Sequence, residues 1–416
     1  MRESHPGWAS LALLMTLWLG MASATAAQTP RRIILLIGDG AGAGHWSALA
    51  FAADNVAVRQ FQLMGLVDTR ASDSKVTDSA AAATAYASGI RTYNGAIGVG
   101  PDTVAAETVL EAAQHRGMAT GLVATCRITH ATPAAFAAHV PSRSMEFVIA
   151  EHIFEHQVDV VLGGGRAYFD GARRPDQLDL LAAIKEKYTY VETAVQLRSL
   201  DMQSVHKLFG LFAVNDPPAA AERQPNLPEM TRTALEVLHR DPEGFFLMVE
   251  ASQPDWRAHE QAPLAAVVAE MRDFDLAIGE ALEYQRRNPE TLIVVLADHE
   301  TGGLTLQLEQ DSAALAQAAA ELAGAERLVR EAGVAIEGSA SDLADTTRLF
   351  MTRLARQLRR SARSQAGSVS LVGRYTTDGH TAQMVPLFAK GPGAERFGGI
   401  IDNHRIGQLL LETVRR

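Results

Sequence analysis

Arg31-Arg-Ile-Ile-Leu-Leu-Ile-Gly-Asp-Gly40 is the stretch on which the reading of the fold turns. Ile33 to Ile37 are apolar without alternation, the pattern of a strand covered on both faces, and Gly38-Asp39-Gly40 ends it in a turn. Runs of the same kind recur at Thr120 to Thr125, at Val158 to Leu162 before Gly163-Gly-Gly165, at Phe245 to Val249 and at Leu292 to Ala297. Helical patterns separate them: Ser79 to Ser88, Val104 to Arg116, Arg143 to Glu155 and Leu264 to Arg287. Strands alternating with helices predict an α/β fold, a mainly parallel central sheet with helices on both faces. Pro217-Pro218 and Pro225 to Pro228 mark a surface loop. From about 307 to 370 the chain is rich in Ala, Arg and Glu, which reads as a helical insertion or cap on a domain spanning 28–416. No internal repeat is evident.

The 416 residues carry 38 Lys and Arg against 48 Asp and Glu, a net charge of −10. That balance argues against a protein built to hold nucleic acid, which needs a basic surplus. It leaves anionic substrates open, because a metal site can reverse the local field. Residues 1–27 read as an export signal: Arg2, an apolar stretch from Trp8 to Met21, then Ala22-Ser-Ala-Thr-Ala-Ala27 for cleavage. The apolar stretch is short for a membrane span, so no stable membrane anchor is expected, although an uncleaved N-terminal anchor is the alternative. The expected location is periplasmic or secreted. Cys126, the one cysteine, excludes an intrachain disulfide and reads as a small core or near-site residue.

In open α/β sheets ligands gather beyond the carboxyl ends of the strands. Asp39 ends the first strand, Glu250 and Asp255 follow the strand at 245–249, and Asp298-His299 follow that at 292–297. Asp255 and His259 are four apart, so a helix would set both on one face, as metal ligands require. Each feature also has a plainer reading: a turn for Asp39, a solvated helix start for 250–259, a helix cap for Asp298. Oxygen and nitrogen donors without paired thiolates suit zinc and magnesium rather than an iron–sulfur or cysteine site. In Val76-Thr-Asp-Ser79-Ala-Ala-Ala-Ala-Thr84, Ser79 opens a strong helix, where its hydroxyl could meet an anion beside free N–H groups. Asp78 or Ser79 as a simple N-cap is equally consistent with that pattern.

Together these segments resemble the alkaline phosphatase family, in order from Asp39 to His380. Asp-Ser-Ala at 78–80 resembles its nucleophile motif, which makes Ser79 the residue that becomes phosphorylated. Thr125-Cys-Arg-Ile-Thr-His130-Ala-Thr132 and Ala138-His-Val-Pro-Ser-Arg143 resemble the segment giving a magnesium-site hydroxyl, Thr132, and a phosphate-binding arginine, Arg143. Val249-Glu250-Ala-Ser-Gln-Pro-Asp255-Trp256-Arg-Ala-His259 resembles the segment with a magnesium carboxylate, Glu250, and two ligands of one zinc, Asp255 and His259. Thr376-Thr-Asp-Gly-His380 resembles the source of that zinc's last ligand, and Asp298-His299 resembles the segment of a second zinc, bridged to magnesium by Asp39. His130 and Trp256 occupy positions that vary in the family, beside the magnesium and the phosphate respectively, and both are candidate substrate contacts. The resemblance implies hydrolysis of phosphate monoesters through a phosphoserine, two Zn2+ and one Mg2+ (or another divalent ion), an alkaline optimum and a homodimer. The competing readings are a phosphodiesterase or sulfatase of the same superfamily and a non-catalytic metal or phosphate binder. Parallel assays with a monoester, a diester and a sulfate ester separate them.

Overall fold

The computed structural model describes residues 30–309 and 370–416. The export segment 1–27 and most of the expected helical insertion lie outside the described residues.

Fourteen strands are found among the described residues: β1 Arg32–Gly38, β2 Leu63–Asp68, β3 Ala119–Arg127, β4 Val160–Gly164, β5 Thr189–Val191, β6 Leu208–Leu211, β7 Phe245–Ala251, β8 Thr291–Leu296, β9 Glu300–Thr301, β10 Thr305–Glu309, β11 Ser370–Arg374, β12 His380–Thr381, β13 Val385–Lys390 and β14 Gly399–Asp402. The α-helices are α1 Ala43–Ala52, α2 Ser79–Ser88, α3 Val109–His115, α4 Ala131–Ala137, α5 Glu146–Glu155, α6 Leu180–Lys187, α7 Ala194–Arg198, α8 Leu227–Leu238, α9 Gln253–His259, α10 Leu264–Arg287 and α11 Asn403–Val414. Ten strands form one sheet in the order β14-β2-β13-β8-β1-β7-β3-β4-β6-β5. Every pairing in it is parallel except those of β13 with β2 and β8.

The expected class therefore holds. Ile33 through Ile37 are all 0% exposed, so both faces of β1 are covered. Helix α10 packs with α1 and α8, while α2, α3, α4 and α11 pack with one another, two helical layers around the sheet. Some boundaries differ from expectation. The helix sought at Val104 to Arg116 starts at Val109, because Thr108 caps it and its side chain and Glu111 form a reciprocal capping box. The helix sought from Arg143 starts at Glu146. Pro228 is not loop: it sits in the first turn of α8, where a missing N–H costs nothing. Residues 307–309 and 370, placed at the ends of the insertion, belong to the antiparallel pair β10–β11 rather than to helices.

Register decides where the chemistry falls. Ile37 of β1 lies level with Glu250 of β7 on one side and Leu296 of β8 on the other. Asp39 and Asp298 each lie two residues beyond that level, so three adjacent strands deliver three carboxylates to one edge. Gly40 follows at φ +71°, and a Cβ there would sit 2.8 Å from Asp255 Cα and 2.9 Å from Thr301 Oγ1. Only glycine takes that backbone and leaves that space cheaply.

Candidate metal centre and active site

Two clusters of ligand atoms form beyond the sheet edge. One is Asp39, Asp298 and His299; the other is Asp255, His259 and His380. In the first, His299 Nε2 lies 3.5 Å from Asp39 Oδ1 and 3.3 Å from Asp298 Oδ2. Asp298 Oδ1 accepts from the backbone N–H of Gly40 (3.1 Å) and of His299 (2.9 Å), which fixes the carboxylate and leaves Oδ2 bare. In the second, Asp255 Oδ1 faces His259 Nε2 at 3.2 Å and His380 Nε2 at 3.6 Å. His259 Nδ1 donates to Asp378 O (2.5 Å) and His380 Nδ1 to Thr77 O (2.8 Å), so both Nε2 lone pairs point inward. His380 stacks on His299 with ring centroids 3.5 Å apart, which joins the clusters.

Thr301, which the sequence does not single out, also joins them. Its hydroxyl donates to Asp255 Oδ1 (2.5 Å) and accepts from His299 Nδ1 (3.1 Å). That chain places the His299 proton on Nδ1 and leaves Nε2 free, 3.3 Å from Ser79 Oγ.

The choice left open at Ser79 is settled by the cap. Asp78 is the N-cap of α2 and accepts from Ala81 N at 3.0 Å. Ser79, 3% exposed, occupies the next position with its hydroxyl free of capping. Asp78 also pairs through Oδ2 with Arg143 Nη1 (3.0 Å), a second contact that the sequence does not announce. Arg143 Nη2 donates to His130 Nε2 (3.0 Å), and His130 meets Trp256 edge to face at 6.2 Å. Arg143, His130 and Trp256 thus form one wall near Ser79.

A third group comprises Cys126, His130 and Glu250. Cys126 Sγ donates to Glu250 Oε2 (3.3 Å), and burial raises its thiol pKa well above normal, so the sulfur stays protonated. Thr132, on the first turn of α4, is fully buried.

These residues fit divalent cations. Asp39 Oδ1 and Oδ2, Glu250 Oε1, Asp298 Oδ2 and Thr132 Oγ1 are buried without a hydrogen-bond partner among the described residues. Buried polar oxygens left bare are costly and call for a partner. The carboxylates also disturb one another. Burial, then Asp298, Asp255 and Glu250, pushes Asp39 well above the usual carboxylate range. Burial lifts Glu250 to about 7, and burial with Asp255 lifts Asp298 to about 6. Burial works against Asp255 too, but His259, His299 and His380 hold it below the ordinary value. The Asp255 hydrogen bond lifts His259 to about 9. Crowded acids in a dry pocket ionise at working pH only beside positive charge, so fold and site define a metal-dependent hydrolase.

Comparison with known proteins narrows that class. The family model described as alkaline phosphatase matches residues 30–415. Alkaline phosphatase 3 of Bacillus subtilis is 36% identical over 423 residues, covering 92% of this chain and 89% of that protein. The solved alkaline phosphatase of the Antarctic bacterium TAB5 is 34% identical with a TM-score of 0.75, covering 93% of this chain and 98% of its own. A variant of that enzyme with a histidine replaced by glutamate, 33% identical with a TM-score of 0.75 and covering 93% and 99%, has Mg bound in its M3 site. The chain belongs to the alkaline phosphatase family, and its reaction is hydrolysis of phosphate monoesters.

Proposed function

We propose that hydrolysis runs through a covalent phosphoserine on Ser79, at a centre for two zinc ions and one magnesium or related divalent ion. Asp255, His259 and His380 would hold one zinc. Asp298 and His299 would hold the other with Asp39 and the Ser79 hydroxyl. Asp39, Thr132 and Glu250 would hold the third ion. When bound, the ions would supply Lewis-acid stabilisation of charge on the attacking and leaving oxygens.

Ser79 Oγ attacks phosphorus, its P–O bond forms as the ester P–O bond breaks, and the alcohol departs. Water then attacks the phosphoserine, releasing inorganic phosphate and restoring the hydroxyl. Arg143, held by Asp78 and His130, would use the N–H groups those two contacts leave over to bind two non-bridging oxygens. The observation that carries this reading is the Ser79 hydroxyl, relieved of capping by Asp78 and set beside His299 Nε2. Acid quenching during turnover, followed by peptide mass spectrometry, should find phosphate on the Ser79 peptide; phosphate elsewhere, or none under conditions that trap it in a related phosphatase, overturns the assignment.

Arg143→Ala is expected to lower kcat/KM roughly 100-fold or more, with weaker phosphate inhibition, because a donor aimed at the transferring group is lost. Arg143→Lys should recover part of this as a point charge without the fork. Steady-state kinetics with phosphate as inhibitor measure both. Trp256→Lys adds a positive contact to the same wall and should tighten inhibition by inorganic phosphate; unchanged product inhibition counts against a phosphate contact there.

Residues 1–27 are read as an export signal, giving a periplasmic or secreted enzyme, with a helical insertion in a 28–416 domain and a homodimer by family likeness. Among the described residues, no helix is long and apolar enough to cross a membrane. N-terminal sequencing of the exported protein and size-exclusion chromatography with light scattering test these points.

A further inference from the structure

A second set of elements builds another constellation of ligand type. Glu111 lies on α3, His139 follows α4 by two residues, and His156 directly follows α5. Their ligand atoms all lie within 4.8 Å of one another. His139 Nε2 stands 2.9 Å from Glu111 Oε1, and His156 Nε2 stands 3.6 Å from the same oxygen. We propose that Glu111, His139 and His156 form a binding site for a divalent cation of the zinc class, which clamps α3, the segment leading to Arg143 and the end of α5 together.

The argument begins with a tautomer. Gly98 O can only accept, so His139 Nδ1, at 2.6 Å, donates to it. In a neutral imidazole the Nε2 lone pair then faces a carboxylate oxygen at hydrogen-bond distance. Two lone pairs held that close repel unless a proton or a metal cation lies between them. The proton is the plainer occupant. Burial works against the His139 imidazolium, but the Glu111 hydrogen bond and the Gly98 carbonyl outweigh it and raise its pKa. A proton on His139, however, leaves His156 Nε2 at 3.6 Å from the same oxygen, beyond hydrogen-bond reach, whereas one cation would engage both imidazoles.

The arrangement repeats that of Asp255, His259 and His380. There too one carboxylate oxygen faces two Nε2 atoms, at 3.2 and 3.6 Å, and a backbone carbonyl fixes the Nδ1 proton. Tetrahedral zinc with ligands near 2.1 Å places its donor atoms roughly 3.4 Å apart, between the two distances found at Glu111. The carboxylate is also set in advance. Glu111 Oε2 accepts from Thr108 N (2.7 Å) in the capping box, which turns Oε1 toward the histidines. His139 N donates to His152 Nδ1 (3.1 Å), and Gln114 Nε2 donates to His156 O (2.7 Å), so the backbones bearing both ligands are tied down. The three side chains are 16%, 17% and 23% exposed, shielded yet reachable from solvent.

The test compares the holoenzyme with Glu111→Gln and His156→Gln, each purified from zinc-supplemented culture and desalted, with metal measured by plasma mass spectrometry. Each variant should hold one zinc equivalent fewer than the parent while keeping monoesterase activity within about threefold. Glutamine preserves the capping box at position 111, and position 156 is held through its backbone carbonyl, which the substitution leaves in place. Both variants should therefore fold. Cobalt titration of the parent should give a visible band, beyond that of the catalytic ions, that both variants lack. Equal zinc content in all three proteins with the same cobalt spectrum overturns the proposal and leaves a proton between His139 and Glu111. Because activity is read separately, failure here is distinct from failure of the phosphoserine reading.

Discussion

Ser79→Ala is expected to lower kcat/KM for a phosphate monoester by about three to six orders of magnitude and to abolish the trapped phosphoenzyme. The size follows from what is removed. Among the described residues, no other hydroxyl shares the position beside His299 Nε2. The variant isolates chemistry from folding unusually well. Asp78 rather than Ser79 caps α2, and alanine is the best helix former, so the change in stability should stay within about 1.5 kcal/mol, the scale of the one buried hydrogen bond removed. Thermal melting and activity on the same sample make the check, and a variant that melts normally but turns over at the parental rate removes Ser79 from the mechanism.

Stripping metal should have the other large effect. Activity should fall to background on exhaustive chelation and return on adding zinc with magnesium. The metal-free protein should also lose stability as pH rises, for a reason in the carboxylates. Without cations, Glu250 titrates near 7 and Asp298 near 6 in the folded state, both raised chiefly by burial, while the unfolded chain titrates near ordinary carboxylate values. Between those limits the native state holds more protons than the unfolded state, so unfolding free energy declines with increasing pH. The loss begins near pH 4, is complete above about pH 8, and is on the order of 3 kcal/mol for each carboxylate. Bound cations hold the same groups ionised and should flatten the curve. Denaturant melts of chelated and reconstituted protein from pH 5 to 8.5 measure this; parallel curves would mean the carboxylates are not buried in the metal-free protein.

Much of the frame was legible because apolar runs announce strands covered on both faces. Ile33 to Ile37, Phe245 to Val249 and Leu292 to Ala297 are the three neighbours at the centre of the sheet. Three of the strands that escaped carry contrary signals. Pro386 lies inside β13 and Gly65 inside β2, while β14 begins Gly399-Ile-Ile and runs at the sheet edge. Proline and glycine ordinarily speak against strands, and here pairing to neighbours overrode them. At the site, Asp39, Glu250, Asp255, His259, Asp298 and His299 could be suspected from chemistry and position alone. Thr132, Arg143 and His380 could not, since a single threonine or arginine carries no local mark, and they were reached through family resemblance. Thr301 and Asp78 stayed hidden because their roles consist of contacts across the fold: Thr301 to Asp255, and Asp78 to Arg143.

The pair β10–β11 has an engineering consequence. Five rungs, from Thr305 opposite Arg374 to Glu309 opposite Ser370, hold Glu309 and Ser370 side by side. Between this ladder and the zinc-ligand candidate His380, the chain is fastened again where Thr376 N and Gly302 N bond to Gly302 O and Gly379 O, both at 2.9 Å. Cargo spliced between Glu309 and Ser370 would therefore pull on the far end of a closed zipper rather than on the histidine. That makes the junction a natural port for reporter or affinity modules in a fusion whose phosphatase output is to be preserved.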